Sequence, residues 1–173
     1  MSDVNPYQPS LETSHDPFAH VDGGKPLATR GDRFLGAFID GIIQMVVIIP
    51  LAIVLGIGVA AMMGDGLATQ ITAQLVGGIA GIVVFFLLHG YLLSTQGRTI
   101  GKLVMKTRIV DRNTSELVPF WPLILKRYSW LWLVGFLPVI NMIVPIFDSL
   151  MIFRESRACL HDDIAGTKVI KDI

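Results

Sequence analysis

Residues 33–50 read RFLGAFIDGIIQMVVIIP, an apolar run that holds a single acid, Asp40, between Arg33 and Pro50. From Gly41 to Met63 no residue is charged, and from Ala73 to Leu93 the only titratable groups are His89 and Tyr91. Each run is longer than the ~20 residues a helix rising ~1.5 Å per residue needs to cross ~30 Å of hydrocarbon. Two membrane-spanning helices are therefore predicted. Composition agrees: 52% of the chain is hydrophobic and 16% is charged, with a mean hydropathy of +0.60. A soluble domain usually carries about 25% charged residues.

Upstream of these runs, residues 1–28 are polar, rich in Pro, Ser, Asp and Asn, and without periodicity. They read as a disordered cytoplasmic tail ahead of a transmembrane domain, residues 29–173. The first apolar run lies too far from Met1 for a cleavable signal, so it is expected to remain as an anchor. Zero net charge gives no reason to expect a nucleic-acid partner. The single cysteine, Cys159, excludes an intramolecular disulfide.

The loops set the orientation. GDGLATQ, between the two runs, has no Lys or Arg, whereas Arg98, Lys102, Lys106, Arg108, Arg112, Lys126 and Arg127 follow the second. Because cytoplasmic loops hold the cations, the amino terminus and the second connection are expected inside. A third apolar region, Trp130 to Phe153, admits two readings. One kinked crossing would put Arg154, Arg157, Lys168 and Lys171 outside, against that charge bias. A helical hairpin keeps them inside, with Pro138, Asn141 and Pro145 in its middle and a second arm too short to cross alone. Small residues at four-residue spacing, Ala52, Gly56 and Ala60 in the first helix and Gly77 and Gly81 in the second, are expected to let the helices pack closely. The fold class is thus an all-α membrane protein: two transmembrane helices, a third hydrophobic region, and a small cytoplasmic amphipathic or β segment.

Asp40 lies seven residues past Arg33, about 10 Å deeper, and the two share nearly one helix face. His89, and in the hairpin reading Asp148, stand at similar depth, so Asp40, His89 and Asp148 form a candidate ion or proton layer. An acid in the hydrocarbon costs ~2.5–3.5 kcal/mol on insertion scales and therefore pairs with something. On one reading Asp40 accepts hydrogen bonds from Arg33, Gln44 or His89 and locks helix orientation. On the other it carries a proton or cation, with His89 as relay.

Three motifs resemble the RDD family of small bacterial membrane proteins, named for one arginine and two aspartates. RFLGAFIDGII matches the signature with Arg33 and Asp40, GRTIGKLVMKTRIVD resembles the stretch after the second span, and LHDDIAGTKVI is similar to the carboxy-terminal motif. The resemblance implies that the second aspartate is Asp162, five residues before Thr167, and that Asp163 occupies a position usually apolar. It implies a membrane protein suspected of transport, without a substrate.

GRTIGK is not a phosphate loop, since Gly97 to Gly101 is one residue too short for GxxxxGK. Ile100, Leu103, Val104 and Thr107 suit a short helix on the inner membrane surface, with Lys102 and Lys106 near headgroups. TRIVDRNTSELV and TKVIKDI are β-branched and could pair as a small cytoplasmic sheet. Asp162 would then meet Arg98, Lys102 or the amides around Gly101, forming an inner-mouth interface that includes Thr167. Trp121, Trp130 and Trp132 with Tyr128 read as an interfacial aromatic belt. Cys159 and His161 lack a second ligand pair, so no metal site is expected, and neither cofactor nor enzymatic activity is indicated. The expected role is binding or passage of a small cation or proton across a bacterial inner membrane, as a homo-oligomer. The alternative is a non-transporting scaffold or accessory subunit whose Arg and Asp residues fix the fold.

Overall fold

A computed structural model of the chain describes residues 25–137, 140–153 and 158–172. Residues 1–24 of the expected tail, with Pro138, Arg154 and Arg157, lie outside that set, as do the side chains of Asn141 and Pro145. Helix α1 spans Arg30–Met63 and α2 spans Leu67–Gln96. A reciprocal cap starts α1: the Thr29 hydroxyl accepts from the Asp32 amide while the Asp32 carboxylate accepts from the Thr29 amide. Gly64 and Gly66, at φ +69° and +154°, make the tight reversal that lays α2 back along α1. Gln44 crosses between the two helices to the Gly81 carbonyl at 3.2 Å.

Both helices are long and apolar enough to cross a membrane. They leave Val46, Val54, Ile57 and Leu87 largely exposed. The core helix of a soluble protein would bury such side chains, whereas a lipid-facing helix presents them.

After α2 the chain makes the short helix α3, Ile100–Val104, and strand β1, Thr107–Asp111. The third apolar region follows as α4, Phe120–Leu123, a π-helical turn Ile124–Tyr128, α5, Ser129–Gly135, and α6, Ile140–Leu150, closed by a 3-10 turn Met151–Phe153. Helix α7, Leu160–Ala165, and strand β2, Thr167–Lys171, complete the described chain. The two strands pair antiparallel with Ile109 opposite Val169. This pairing fixes the path of the third apolar region, which departs from β1 and must come back to β2 at the same end of the bundle. Its far end is tied to α2, where Gln74 donates to the Phe136 carbonyl at 3.1 Å and the Phe136 ring lies on Gly78. Gln74 and His89 are fifteen residues apart on one helix, so the region reaches ~22 Å away from the sheet end before returning.

The tight core sits at the sheet end. Phe85, Leu93, Ile109, Leu123, Ile124 and Val169 are buried together, and Phe86, Phe120, Tyr128 and Trp132 pack against them. Tyr128 and Trp132 both lie about 5 Å from the Phe85 ring, so these two aromatics turn inward and leave the expected belt. Trp121 alone of that group is strongly exposed.

Helix packing also differs from the expected small-residue rows. Gly56, Gly77 and Gly81 have nothing within 4 Å of a Cβ built on them. The close backbone approach occurs instead between α1 and α3: a Cβ on Gly101 would stand 2.0 Å from the Gly36 carbonyl oxygen. Helix α3 is thereby docked against α1, and Lys102 faces the protein interior while Leu103 and Val104 point out. Gly101→Ala is expected to lose ~3 kcal/mol or more, through backbone overlap that no rotamer relieves. Gly56→Ala should stay within about 0.5 kcal/mol of the parent. Thermal unfolding in detergent compares the two, and equal melting temperatures would contradict this docking.

Candidate functional site

Two carboxylates organise the sheet end, and each has partners other than its sequence neighbours. Asp162 lies in the first turn of α7 and is fully buried (0% exposed). Arg33 of α1 donates to its Oδ2 at 2.7 Å, and Arg127 of the π-helical turn donates to its Oδ1. The same Arg127 nitrogen donates to the Thr167 hydroxyl at 2.6 Å, and that hydroxyl donates to Asp162 Oδ1 at 3.3 Å. The Cys159 amide closes the ring on Oδ2 at 3.3 Å. Burial alone would raise the Asp162 pKa, but Arg127, His161 and Arg33 outweigh it and hold the carboxyl well below the ordinary carboxylate range. Arg127, only 2% exposed, is the member that reading the sequence as an aromatic belt concealed.

Asp40 serves a different purpose. Its Oδ1 accepts from the Gly101 amide at 2.6 Å and its Oδ2 from the Thr99 hydroxyl. Thr99 also accepts from the Lys102 amide, and the His89 Nδ1 accepts from the Ile100 amide at 3.4 Å. Three successive amides at the start of α3 therefore meet acceptors from α1, from α2 and from the α3 N-cap. These are the donors a helix leaves unmet, and a carboxylate there also faces the positive end of the helix dipole. Because His89 Nδ1 accepts an N–H, its ring is neutral with the proton on Nε2. The 3.9 Å approach of that nitrogen to Asp40 Oδ1 is thus a meeting of two acceptors around one helix start.

This geometry reassigns several expected contacts. Arg33 is the counter-ion of Asp162, not of Asp40, and Gln44 binds Gly81. Asp148 does not join Asp40 and His89; its carboxylate accepts from the His161 amide at 3.0 Å and lies 2.5 Å from His161 Nδ1. Arg98 pairs with Asp172, which also gathers Lys25 and Arg108. The doubled acid divides its work: Asp162 is buried in the network, while the exposed Asp163 meets Arg112 at 2.6 Å.

Between these two clusters lies a cavity of about 380 Å³. Its polar lining is Asp40, Gln44, His89, Thr99, Lys102, Arg127 and His161, and Phe85, Tyr128 and Leu131 line it too. Lys102, expected at the headgroups, lines it instead; burial, reinforced by Arg127, pushes its ammonium down. Thr99, Tyr128 and His161 belong to this wall as well; the sequence marks Tyr128 only as a belt aromatic, His161 only beside Cys159, and Thr99 only as part of GRTIGK.

Residues 27–166 match the RDD family. The chain belongs to the RDD family. No curated protein and no solved structure matches it. Together with the two apolar helices, the match makes this an RDD-family, membrane-type protein with two candidate spans. The RDD signature thereby acquires a geometry: its arginine, Arg33, and its second aspartate, Asp162, are one ion pair, and its first aspartate, Asp40, caps a helix.

Asp162→Asn would leave two buried guanidiniums short of charge and is expected to destabilise by about 3–5 kcal/mol. Asp163→Asn weakens the exposed pair with Arg112, worth below about 1 kcal/mol. Melting temperatures in detergent check the difference. A carboxyl depressed by folding stabilises the fold above its unfolded pKa of ~3.9 and loses that contribution as pH falls. The parent should therefore lose stability progressively below about pH 5, and Asp162→Asn should show a shallower acid slope.

Proposed function

We propose that this RDD protein sits in the bacterial inner membrane and binds and passes a proton or small cation through the cavity between α1, α2 and the third apolar region. The observation that carries this reading is the cavity itself: about 380 Å³ walled by Asp40, His89, Lys102 and Arg127 within an apolar bundle. Ionisable groups at that depth are expensive unless they face protein or a water-filled space, and they mark ion and proton routes.

The proposed topology places the amino terminus, the sheet and α3 in the cytoplasm. The described lysines and arginines gather at that end, while the loop between α1 and α2 carries only Asp65, which is the distribution the positive-inside bias favours. The third apolar region enters and leaves from the cytoplasmic side as a hairpin, because β1 and β2 pair. We place the protein in a homo-oligomer. Two spans and a hairpin enclose little volume, and Gly56 and Gly77 leave helix faces open to a neighbouring copy.

A second reading, a non-transporting scaffold or accessory subunit, is favoured by one observation: both Asp40 oxygens are already engaged in capping α3. Reconstitution into liposomes loaded with a pH-sensitive or a Na⁺-sensitive dye separates the two. Under the transport reading the parent dissipates an imposed proton or Na⁺ gradient, and His89→Gln and Lys102→Gln, each with its melting temperature kept, lower the rate at least tenfold. A parent no faster than empty liposomes, or variants with unchanged rates, would leave the scaffold reading. Topology is tested in a Cys159→Ser background with Asn113→Cys and Asp163→Cys. Both are expected to react with impermeant maleimide only from the cytoplasmic side, and labelling of position 163 from outside would contradict the hairpin.

A further inference from the structure

The contact between α6 and α7 assembles a ligand set that its sequence spacing hid. Cys159 and His161 flank Leu160 at the start of α7, and Asp148 reaches them from the last turns of α6. The three ligating atoms all lie within 4.8 Å of one another. Asp148 and Cys159 are buried, and His161 is mostly so. We propose that Asp148, Cys159 and His161 form a binding site for one borderline divalent transition metal of the Zn²⁺ or Co²⁺ class. This site lies apart from the capping cluster of Asp40 and does not depend on whether the protein transports.

The donor set argues for that class. A thiolate, an imidazole and a carboxylate are the ligands such ions take in four-coordinate sites, with bonds of ~2.0–2.3 Å. Ligand atoms around such an ion stand roughly 3.3–3.7 Å apart, by the geometry of a tetrahedron of those bonds. The Cys159 sulfur stands within 4.8 Å of the other two ligand atoms and needs to move inward by at most about 1.5 Å, and the Asp148–His161 pair, at 2.5 Å, needs to open by about 1 Å for the ion to take the place of its bridging proton. Hard cations such as Mg²⁺ disfavour thiolate and are a poorer match.

Charge and protons balance. His161 Nε2 faces an Arg127 N–H at 3.0 Å, so the ring proton sits on Nδ1 and bridges to Asp148. When the ion binds Nδ1, that proton moves to Nε2 and Arg127 gives up this one contact, keeping its bonds to Asp162 and Thr167. The Cys159 thiol releases its proton to solvent. One thiolate and one carboxylate then neutralise the doubly charged ion; because Asp148 is ionised beforehand, uptake of the ion with release of one proton raises the charge of this region by one, from a carboxylate to a neutral complex beside Arg33 and Arg127. A water fills the fourth position. The bound ion would join α6 to α7 and so fix the returning arm of the third apolar region to the sheet end.

The test uses the purified, tag-free full chain in detergent, titrated with Co²⁺. Because Cys159 is the only cysteine, any thiolate-to-cobalt charge-transfer band must come from it. The expected result is one Co²⁺ per chain, with that band and the intense visible bands of a four-coordinate ion. Cys159→Ser should abolish the charge-transfer band, and Asp148→Asn and His161→Gln should each weaken binding at least tenfold, on the order of what loss of even a supporting residue costs. Circular dichroism confirms that each variant is folded. If Cys159→Ser does not fold, the parent spectrum and Asp148→Asn decide. A parent without the band, a spectrum of the weak six-coordinate type, or unchanged affinity in Asp148→Asn would overturn the site. Binding is read without flux, so a silent transport assay and a failed metal titration are separate results.

Discussion

The Asp162 carboxylate is the point on which the rest of this fold converges. It receives Arg33 from the start of α1, Arg127 from the start of the third apolar region and Thr167 from the start of β2. Between helices in lipid there is no hydrophobic force to choose one rotation over another, because the tails are as apolar as the side chains. A buried charge that accepts from three segments makes that choice instead. A buried ion pair is weak evidence for net stability, since desolvation of both partners offsets much of the attraction. Removal of one partner is another matter, because the remaining charges then stay buried and uncompensated. The network therefore acts through specificity: it allows one arrangement of the three segments and penalises the others.

A second constraint positions α3. The five-residue helix Ile100–Val104 is too short to hold itself together in isolation. It exists because Asp40, His89 and Thr99 meet its first amides and because Gly36 and Gly101 allow its backbone to press on α1. The answer to the isolated acid in RFLGAFIDGII is thus a tertiary helix cap. Asp40 is held away from lipid not by a side-chain cation but by the Gly101 N–H and the Thr99 hydroxyl at the positive end of α3.

The two apolar runs were legible because hydropathy over twenty residues is a local property. Pairing of TRIVD with TKVIK was legible as β-branched runs, and it decides the path of everything between them. The partners of the acids were not legible. Arg33 and Asp40 share a helix face by spacing, and that favours a local pair; the observed partner of Arg33 is 129 residues away. Arg127 sits among tryptophans and a tyrosine, where composition suggests a membrane interface, and only the packing of Phe85 against Tyr128 and Trp132 reveals that this turn faces inward. Cys159 and His161 likewise look like an incomplete pair, because Asp148 stands on the other side of a segment whose course no local pattern sets.

Saturation of the two signature carboxylates has a consequence for chemistry. Asp162 is held ionised by two guanidiniums, and Asp40 has both oxygens engaged in holding the start of α3, so both carboxylates are committed to structure. Groups free to change state must then come from the rest of the cavity wall. Lys102 is the clearest: burial works against the charge of its ammonium, and it feels Arg127, Asp40, Asp162 and Arg33 through space. Position and motif come from one feature, since the docking of α3 that needs Gly101 and Asp40 is also what turns Lys102 inward. A role for the cavity therefore runs through the acids indirectly, as the fixed frame that brings a titratable amine beneath two apolar helices.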